Sequence, residues 1–229
     1  MEMSIWLSLA SVLVLSIILT LTSLKRSPGV GVLGTIVIIA FVIWQRGEGL
    51  ESLGFVRPQS WLNTILLSLV LGGVLALAST MVIEPLADKL TGETHDHSMF
   101  DGIRGNFGVL WKWLLVVWLL VAFLEEIIFR GFLMNELAWL LGTGVWGTIT
   151  NLTFSSILFG MAHWYQGKSG ALSTGLIGLI IGVIYIAGGY NLWLPILIHG
   201  FIDTFGLVMV YLNADRYLRR WIETKAQLR

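Results

Sequence analysis

The sequence predicts an all-α membrane protein, a bundle of about seven transmembrane helices around a polar intramembrane cavity. Three observations support this fold class: the composition, a series of long apolar runs, and a few ionisable residues inside those runs. The 229-residue chain is 56% hydrophobic and only 12% charged, with a mean hydropathy of +0.82. A soluble domain is nearer half apolar and a quarter charged, so the low charge content indicates a membrane protein.

Seven apolar runs approach the roughly 20 residues that a helix needs to cross a bilayer. They are Met3–Leu24, Val30–Trp44, Trp61–Ile83, Phe107–Phe129, Val145–His163, Ala171–Ala187 and Leu192–Leu212. We expect the first to be a retained helix rather than a signal peptide, because it lacks a basic leading region and a small-residue cleavage site. The stretch Gly131–Gly144 is a candidate for a short helix that only dips into the bilayer. The small residues Gly175, Gly178 and Gly182 predict a close approach between two helices.

We expect a single transmembrane domain over residues 1–229, with a motif-bearing core at about 107–212 and a charged tail at 213–229. The formal net charge is zero, which gives no electrostatic basis for binding nucleic acid. The chain has no cysteine, which excludes disulfides and cysteine-based catalysis. Membrane lipid is the first expected partner.

The distribution of lysine and arginine predicts a cytoplasmic tail. If the apolar runs alternate across the membrane, one side carries Lys25, Arg26, Lys89, Arg104, Lys112 and Lys168, together with the tail residues Arg216, Arg219, Arg220, Lys225 and Arg229. The opposite side carries only Arg46 and Arg57. Basic residues concentrate on the cytoplasmic side of membrane proteins.

Few ionisable residues interrupt the apolar runs, and each is costly there. They are Glu125, Glu126, Arg130, His163, His199 and Asp203. A charged side chain at mid-bilayer costs about 2.5–3.5 kcal/mol on insertion scales. The four carboxylate and guanidinium groups would cost on the order of 10 kcal/mol if unpaired, so they must be paired or hydrated in a cavity.

The spacing of these residues predicts which of them form ion pairs or share a helical face. Glu126 and Arg130 are four residues apart, in the order that favours an ion pair on one helical face. Glu125 lies about 100° away from Glu126 around the same helix, so it is the carboxylate for which the spacing predicts no ion-pair partner. Phe159 and His163 are four residues apart, as are His199 and Asp203. A carboxylate and two imidazoles that converge from three helices can activate a water molecule.

His95 and His97, in the segment THDH, resemble a metal-ligand pair. They lie in the predicted connection between the third and fourth apolar runs, and no third ligand is evident from the sequence. We therefore interpret them as residues of a solvated loop.

The ordered set EEIIFR (Glu125, Glu126, Arg130), FGMAH (Phe159, His163) and HGFID (His199, Asp203) resembles the CAAX protease and bacteriocin-processing family of intramembrane endopeptidases, also called Abi proteins. The resemblance implies hydrolysis of a peptide bond in a membrane-associated substrate, which in such a family can be prenylated or otherwise lipidated. It implies Glu125 as general base and His163 as a water ligand, with His199 and Asp203 at the oxyanion.

The same resemblance implies that Glu126, Arg130 and Phe159 support the site, that no metal or other cofactor is needed, and that the protein lies in a bacterial cell membrane. Asp203 stands where the prenyl-protein enzymes carry Asn, so it fits an oxyanion donor only if protonated. It can instead orient His199 or share a proton with Glu125.

Three alternatives stay open at this point. Two histidines and a carboxylate are also a catalytic zinc set, although the sequence has no H-E-x-x-H motif. A non-catalytic membrane scaffold or immunity protein would keep the same residues for structure. An ion-coupled transporter would also bury ionisable residues, but it predicts internal repeats that are not evident here.

Simple alternation of the runs creates one difficulty. It places His163 near the cytoplasmic end of its helix, and Glu125 and His199 nearer the opposite face. The predicted convergence therefore requires helices that start deeper, tilt, or do not cross.

Overall fold

The computed structural model describes residues 2–227, with the side chains of 2–4, 28, 219, 222, 223 and 225–227 excepted. The side chains of Arg219 and Lys225, and all of Arg229, therefore lie outside the described part of the tail. The described residues form helices and connecting turns and contain no strand. The predicted all-α fold class is confirmed.

Residues 2–227 form eight helical segments, labelled here in chain order. They are α1 (Glu2–Leu24), α2 (Pro28–Arg46), α3 (Trp61–Thr91), α4 (Phe107–Leu141), α5 (Val145–Ala162), α6 (Gly167–Ala187), α7 (Trp193–Tyr211) and α8 (Ala214–Gln227). Short 3₁₀ turns lie at Leu50–Leu53, Ser98–Ile103 and Trp164–Gln166.

Local sequence sets several of these boundaries. Pro28 stands at the start of α2, where its missing N–H costs nothing, and Gly47 ends the helix with a φ of 65°. The Ser60 hydroxyl accepts a hydrogen bond from the Asn63 N–H at the start of α3. The Asn106 side chain accepts one from the Val109 N–H at the start of α4. Both are N-cap contacts that satisfy otherwise unpaired backbone donors.

Among the described residues, six helical segments are long and apolar enough to cross a membrane, which is close to the predicted bundle of about seven. They are Ile5–Leu24, Gly29–Arg46, Trp61–Thr91, Phe107–Leu141, Trp164–Ala187 and Trp193–Tyr211. The predicted run Val145–His163 forms α5 but is not among the six. Its Asn151 and several hydroxyl residues make it less apolar than the others.

Two predicted boundaries are wrong. The stretch Gly131–Gly144 is not a separate short helix, because the backbone stays helical from Phe107 to Leu141, a segment of 35 residues. Helix α3 likewise does not stop at Ile83 but continues through a π-helical turn to Thr91. In both cases a polar residue inside the helix was read as the edge of the apolar run.

The C-terminal half of helix α4 is buried against other helices. All eight residues of its π-helical stretch Ile127–Met134 are buried. Arg46 at the end of α2 donates to both carboxylate oxygens of Glu136 on α4, at 2.6 and 2.9 Å, and also to the Ser8 hydroxyl of α1. The first two helices are thus attached to α4 by a largely buried ion pair.

The glycines of α6 allow the close packing that their spacing predicted. A Cβ atom on Gly178 would lie 2.8 Å from Cδ1 of Phe159 on α5, and one on Gly182 would lie 3.0 Å from Leu152 on the same helix. The backbones of α5 and α6 can approach this closely because the contact residues have no side chain.

Candidate active site

The two adjacent glutamates lie on a short α-helical stretch of α4, Ala122–Glu126, between two π-helical stretches, Val117–Val121 and Ile127–Met134. Such departures from regular α-helix occur frequently at functional sites. His163 directly follows α5 as its C-terminal cap residue, and His199 lies within α7. Three helices therefore contribute the polar residues, as the motif spacing predicted.

Glu126 is fully buried and is the hub of a charged network. Its Oε1 accepts hydrogen bonds from Nη1 of Arg130 at 2.8 Å and from Nδ1 of His199 at 2.8 Å. Arg130 is 2% exposed, and its Nη2 donates to the Gly178 carbonyl at 2.8 Å. The ion pair expected from the four-residue spacing is present, and it also reaches α6 and α7.

Glu125 points away from this network, as its position on the helix predicted. Its Oε2 is buried, has no hydrogen-bond partner in the described part of the chain, and lies 3.7 Å from Nε2 of His163. His163 donates its Nδ1 proton to the Phe159 carbonyl at 2.8 Å. Because a carbonyl can only accept, this bond leaves the lone pair of a neutral ring on Nε2, facing the carboxylate.

His199 and Asp203 lie together on α7. Nδ1 of His199 is committed to Glu126, and Nε2 lies 3.5 Å from Oδ2 of Asp203. The Asp203 side chain is 28% exposed, far more than the histidine, which is 9% exposed. His199 is thus held between a buried carboxylate and one that borders open space.

Phe159 connects these groups. Its ring contacts Phe129 edge to face at 4.8 Å between centroids, and the Arg130 guanidinium carbon lies 4.9 Å from its centroid. The rings of His163 and His199 lie 4.7 and 6.2 Å away. Phe159 therefore fills the space between the ion pair and both histidines.

All four polar residues, Glu125, His163, His199 and Asp203, line one cavity of about 900 Å³. Apolar side chains such as Val30, Leu33, Leu120 and Val121 form much of its remaining wall. The difficulty raised by simple alternation is resolved by the long helix α4, which places Glu125 near its middle, beside the end of α5.

A second polar group on this cavity consists of Glu84, His95 and His97. It shows that the interpretation of His95 and His97 as residues of a solvated loop is wrong. The His95 side chain is only 7% exposed, and both rings lie against Glu84 of α3, which also lines the cavity. Glu84 was missed because the sequence places it in the polar connection after the apolar run. The one signal in the sequence was the acidic residue itself, directly after the apolar run. The structure shows that the helix includes this residue and continues to Thr91.

The fold and the site together define a polytopic helical membrane protein whose catalytic-type side chains meet inside the bundle. A family model described as Type II CAAX prenyl endopeptidase Rce1-like matches residues 107–205, the part that holds all three motifs. The resemblance to the CAAX protease family is thereby confirmed, and the match supports a membrane protease of the CAAX type as the general class. Searches of curated proteins and of solved structures found no match.

Proposed function

We propose that the protein is an intramembrane endopeptidase that hydrolyses a peptide bond with a water molecule activated by Glu125. The observation that carries this proposal is the buried Oε2 of Glu125, which has no hydrogen-bond partner among the described residues and lies 3.7 Å from Nε2 of His163. After a small rotation of the Glu125 side chain toward the cavity, a water molecule can lie at hydrogen-bond distance, about 2.8 Å, from both atoms at once. The site thus has two acceptors aimed at one water and one carboxylate to take its proton.

The reaction follows from this arrangement. Glu125 removes a proton from the water, whose oxygen attacks the carbonyl carbon of the scissile peptide bond. The tetrahedral intermediate then carries a negative oxygen, which needs a donor. Protonated Glu125 delivers its proton to the leaving nitrogen as the C–N bond breaks, which yields a carboxylic acid and an amine.

His199 is the donor proposed for the oxyanion. Its Nδ1 already donates to Glu126, so His199 can donate from Nε2 into the cavity only as the doubly protonated ring, whose charge the carboxylates of Glu126 and Asp203 on either side would stabilise. Asp203, 3.5 Å from that nitrogen, orients the ring rather than donating itself. Glu126, Arg130 and Phe159 support the site from the buried side, because they fix the orientation of both histidines.

A zinc-dependent hydrolysis by the same residues is the second candidate mechanism. Two features favour the mechanism without a metal. Nδ1 of His199 is used by Glu126, and Nε2 faces Asp203. Within the described part of the chain, the group whose His and carboxylate atoms all lie within 4.8 Å of one another is Glu84, His95 and His97, not this set.

The variant Glu125→Gln distinguishes the proposed protease from a non-catalytic scaffold and from a transporter. Cells that produce the wild-type protein or Glu125→Gln are compared by mass spectrometry of their membrane peptides. We expect cleavage products only with the wild type, while Glu125→Gln reaches the same level in the membrane and melts at the same temperature. Glu51→Gln, on an exposed turn, controls for the loss of one carboxylate. Cleavage by Glu125→Gln would refute the role of the glutamate.

The substrate proposed is a membrane-associated peptide or protein, and the apolar cavity wall favours one that carries a prenyl or other lipid group. We place the protein in a bacterial cell membrane as a single domain over residues 1–229, with its tail in the cytoplasm. Because the chain has no cysteine, Tyr217→Cys gives one labelling site, at a position that is 72% exposed. Labelling of intact cells by a membrane-impermeant maleimide would refute this orientation.

A further inference from the structure

We infer that Glu84, His95 and His97 form a second polar site on the cavity wall, which binds one zinc ion. Nε2 of His97 lies 3.0 Å from Oε2 of Glu84, and Nδ1 of His95 lies 3.9 Å from the same oxygen. One ligand atom from each residue lies within 4.8 Å of the others. Zinc bonds of about 2.0–2.2 Å in a tetrahedron separate the ligand atoms by roughly 3.4 Å. Small side-chain shifts therefore suffice to close the site around an ion.

The donor set favours zinc over other common cations. Two imidazole nitrogens and one carboxylate oxygen are a recognised set of three zinc ligands, with water in the fourth position. Magnesium and calcium prefer oxygen ligands alone, and copper(I) prefers sulfur.

The contacts of His95 place the lone pair of its ring on Nδ1, the nitrogen that lies 3.9 Å from Oε2 of Glu84. Nε2 of His95 lies 3.2 Å from the side-chain oxygen of Gln166, which accepts its proton and leaves the lone pair on Nδ1. Zinc-binding histidines commonly donate their second nitrogen to such an outer acceptor. The Ser173 hydroxyl, 3.2 Å from Nδ1, has an alternative acceptor in the Gly170 carbonyl at 3.1 Å, so it can yield that lone pair to a metal.

The segment that carries both histidines is already held in place by its backbone. The His95 N–H donates to Oδ1 of Asp88 at 2.9 Å, and Asp88 also accepts a hydrogen bond from the Ser169 hydroxyl. The Asp96 N–H donates to the Gln166 carbonyl at 3.1 Å. The rings of His95 and His97 are stacked, with centroids 4.0 Å apart. Less ordering is therefore needed when a metal binds, which raises affinity.

The position of this site indicates a structural role rather than a hydrolytic one. Gln166, the outer acceptor of His95, lies three residues after His163, and its N–H donates to the His163 carbonyl at 2.9 Å. A zinc ion would fix the connection between α3 and α4 against the turn that follows α5. It would stabilise one wall of the cavity next to the proposed active site without contacting the water that Glu125 activates.

The test uses the purified full-length protein without a polyhistidine tag, stripped with a chelator and titrated with Co²⁺ and then Zn²⁺. We expect visible Co²⁺ absorption that saturates at one equivalent and is lost when Zn²⁺ displaces it. His97→Ala and Glu84→Gln should each weaken binding by about tenfold or more. His97 is 31% exposed on its side chain, so its replacement should be tolerated by the fold. Bound Zn²⁺ should also slow amide hydrogen exchange in residues 93–103.

The controls are Glu125→Gln and His163→Ala, which should bind as the wild type does. Absence of stoichiometric binding by the wild type would overturn the inference and leave a hydrogen-bonded Glu–His cluster. Full affinity in both His97→Ala and Glu84→Gln would overturn it too. Loss of binding only in the two control variants would instead place zinc in the proposed active site. None of these outcomes depends on protease activity, so the inference can fail while the proposed function stands.

Discussion

Replacement of Arg130 by methionine is the sharpest test of the charged network under the proposed active site. Arg130 and Glu126 have side chains that are 3% and 0% exposed, so neither charge can be hydrated when its partner is removed. Met preserves much of the apolar length of the arginine stem. The variant therefore removes the charge and its two hydrogen bonds while it leaves most of the packing against Phe159 in place.

The expected cost follows from what the substitution leaves behind. Removal of one partner from a buried ion pair typically destabilises a protein by about 3–5 kcal/mol, because the other charge stays buried. In Arg130→Met, Oε1 of Glu126 keeps only the bond from His199, and the Gly178 carbonyl loses its donor. The double variant Glu126→Gln/Arg130→Met leaves no buried charge from the pair. It should therefore lose less than Arg130→Met alone.

The measurement is the free energy of unfolding in mixed micelles, with fluorescence of the 11 tryptophans as the signal. Lys168→Met is the matched control, because Lys168 and Glu93 form a 2.7 Å pair whose side chains are 56% and 42% exposed. Exposed pairs contribute little to stability, so the control should unfold as the wild type does. An Arg130→Met protein as stable as the wild type would refute this account, as would a double variant that is less stable than the single one.

Two further predictions concern packing and the tail. Gly178→Ala should lower the free energy of unfolding by about 1–3 kcal/mol because the new Cβ would press on Phe159, whereas Gly206→Ala, where a Cβ meets nothing within 4 Å, should change it little in the same unfolding assay. Burial alone would raise the pKa of Asp215, but hydrogen bonds from Arg104 hold that pKa below its ordinary value. The ion pair between Arg104 and Asp215 therefore contributes to stability above about pH 4, and this contribution is lost as the pH falls through the lowered pKa of Asp215. Proteolysis of α8 should be unchanged between neutral and mildly acidic pH and faster below about pH 4, and in Asp215→Asn it should already be fast at neutral pH.

The parts of the site that could be predicted from the sequence are those set by helical geometry. The Glu126–Arg130 pair and the divergence of Glu125 both follow from 3.6 residues per turn, and the structure has both. The π-helical stretch that starts at Ile127 does not break this pairing, because the two residues still face the same side. The convergence of three motifs followed from the cost of burying ionisable groups in an apolar chain.

The contacts that could not be predicted join residues that are distant in sequence. No local pattern shows that Glu126 accepts a hydrogen bond from His199, because that bond depends on how α4 and α7 pack. Nor does the sequence show that Glu84 lies against His95 and His97, since that requires α3 to continue past its most apolar part. Helix ends were the weakest predictions, because a buried polar residue inside a helix resembles the start of a loop.

The length of α4 explains how residues assigned to opposite membrane faces can share one site. At 1.5 Å per residue, 35 residues extend about 52 Å, whereas the hydrocarbon core is about 30 Å thick. A helix of this length must tilt or extend beyond the core, so the position of a residue along it does not fix its depth by simple counting. Glu125 lies near the middle, and His163 follows the last residue of the shorter helix α5. A cavity that extends from the end of α5 to the middle of α4 therefore borders Glu125, which is the access that the proposed activation of a water molecule requires.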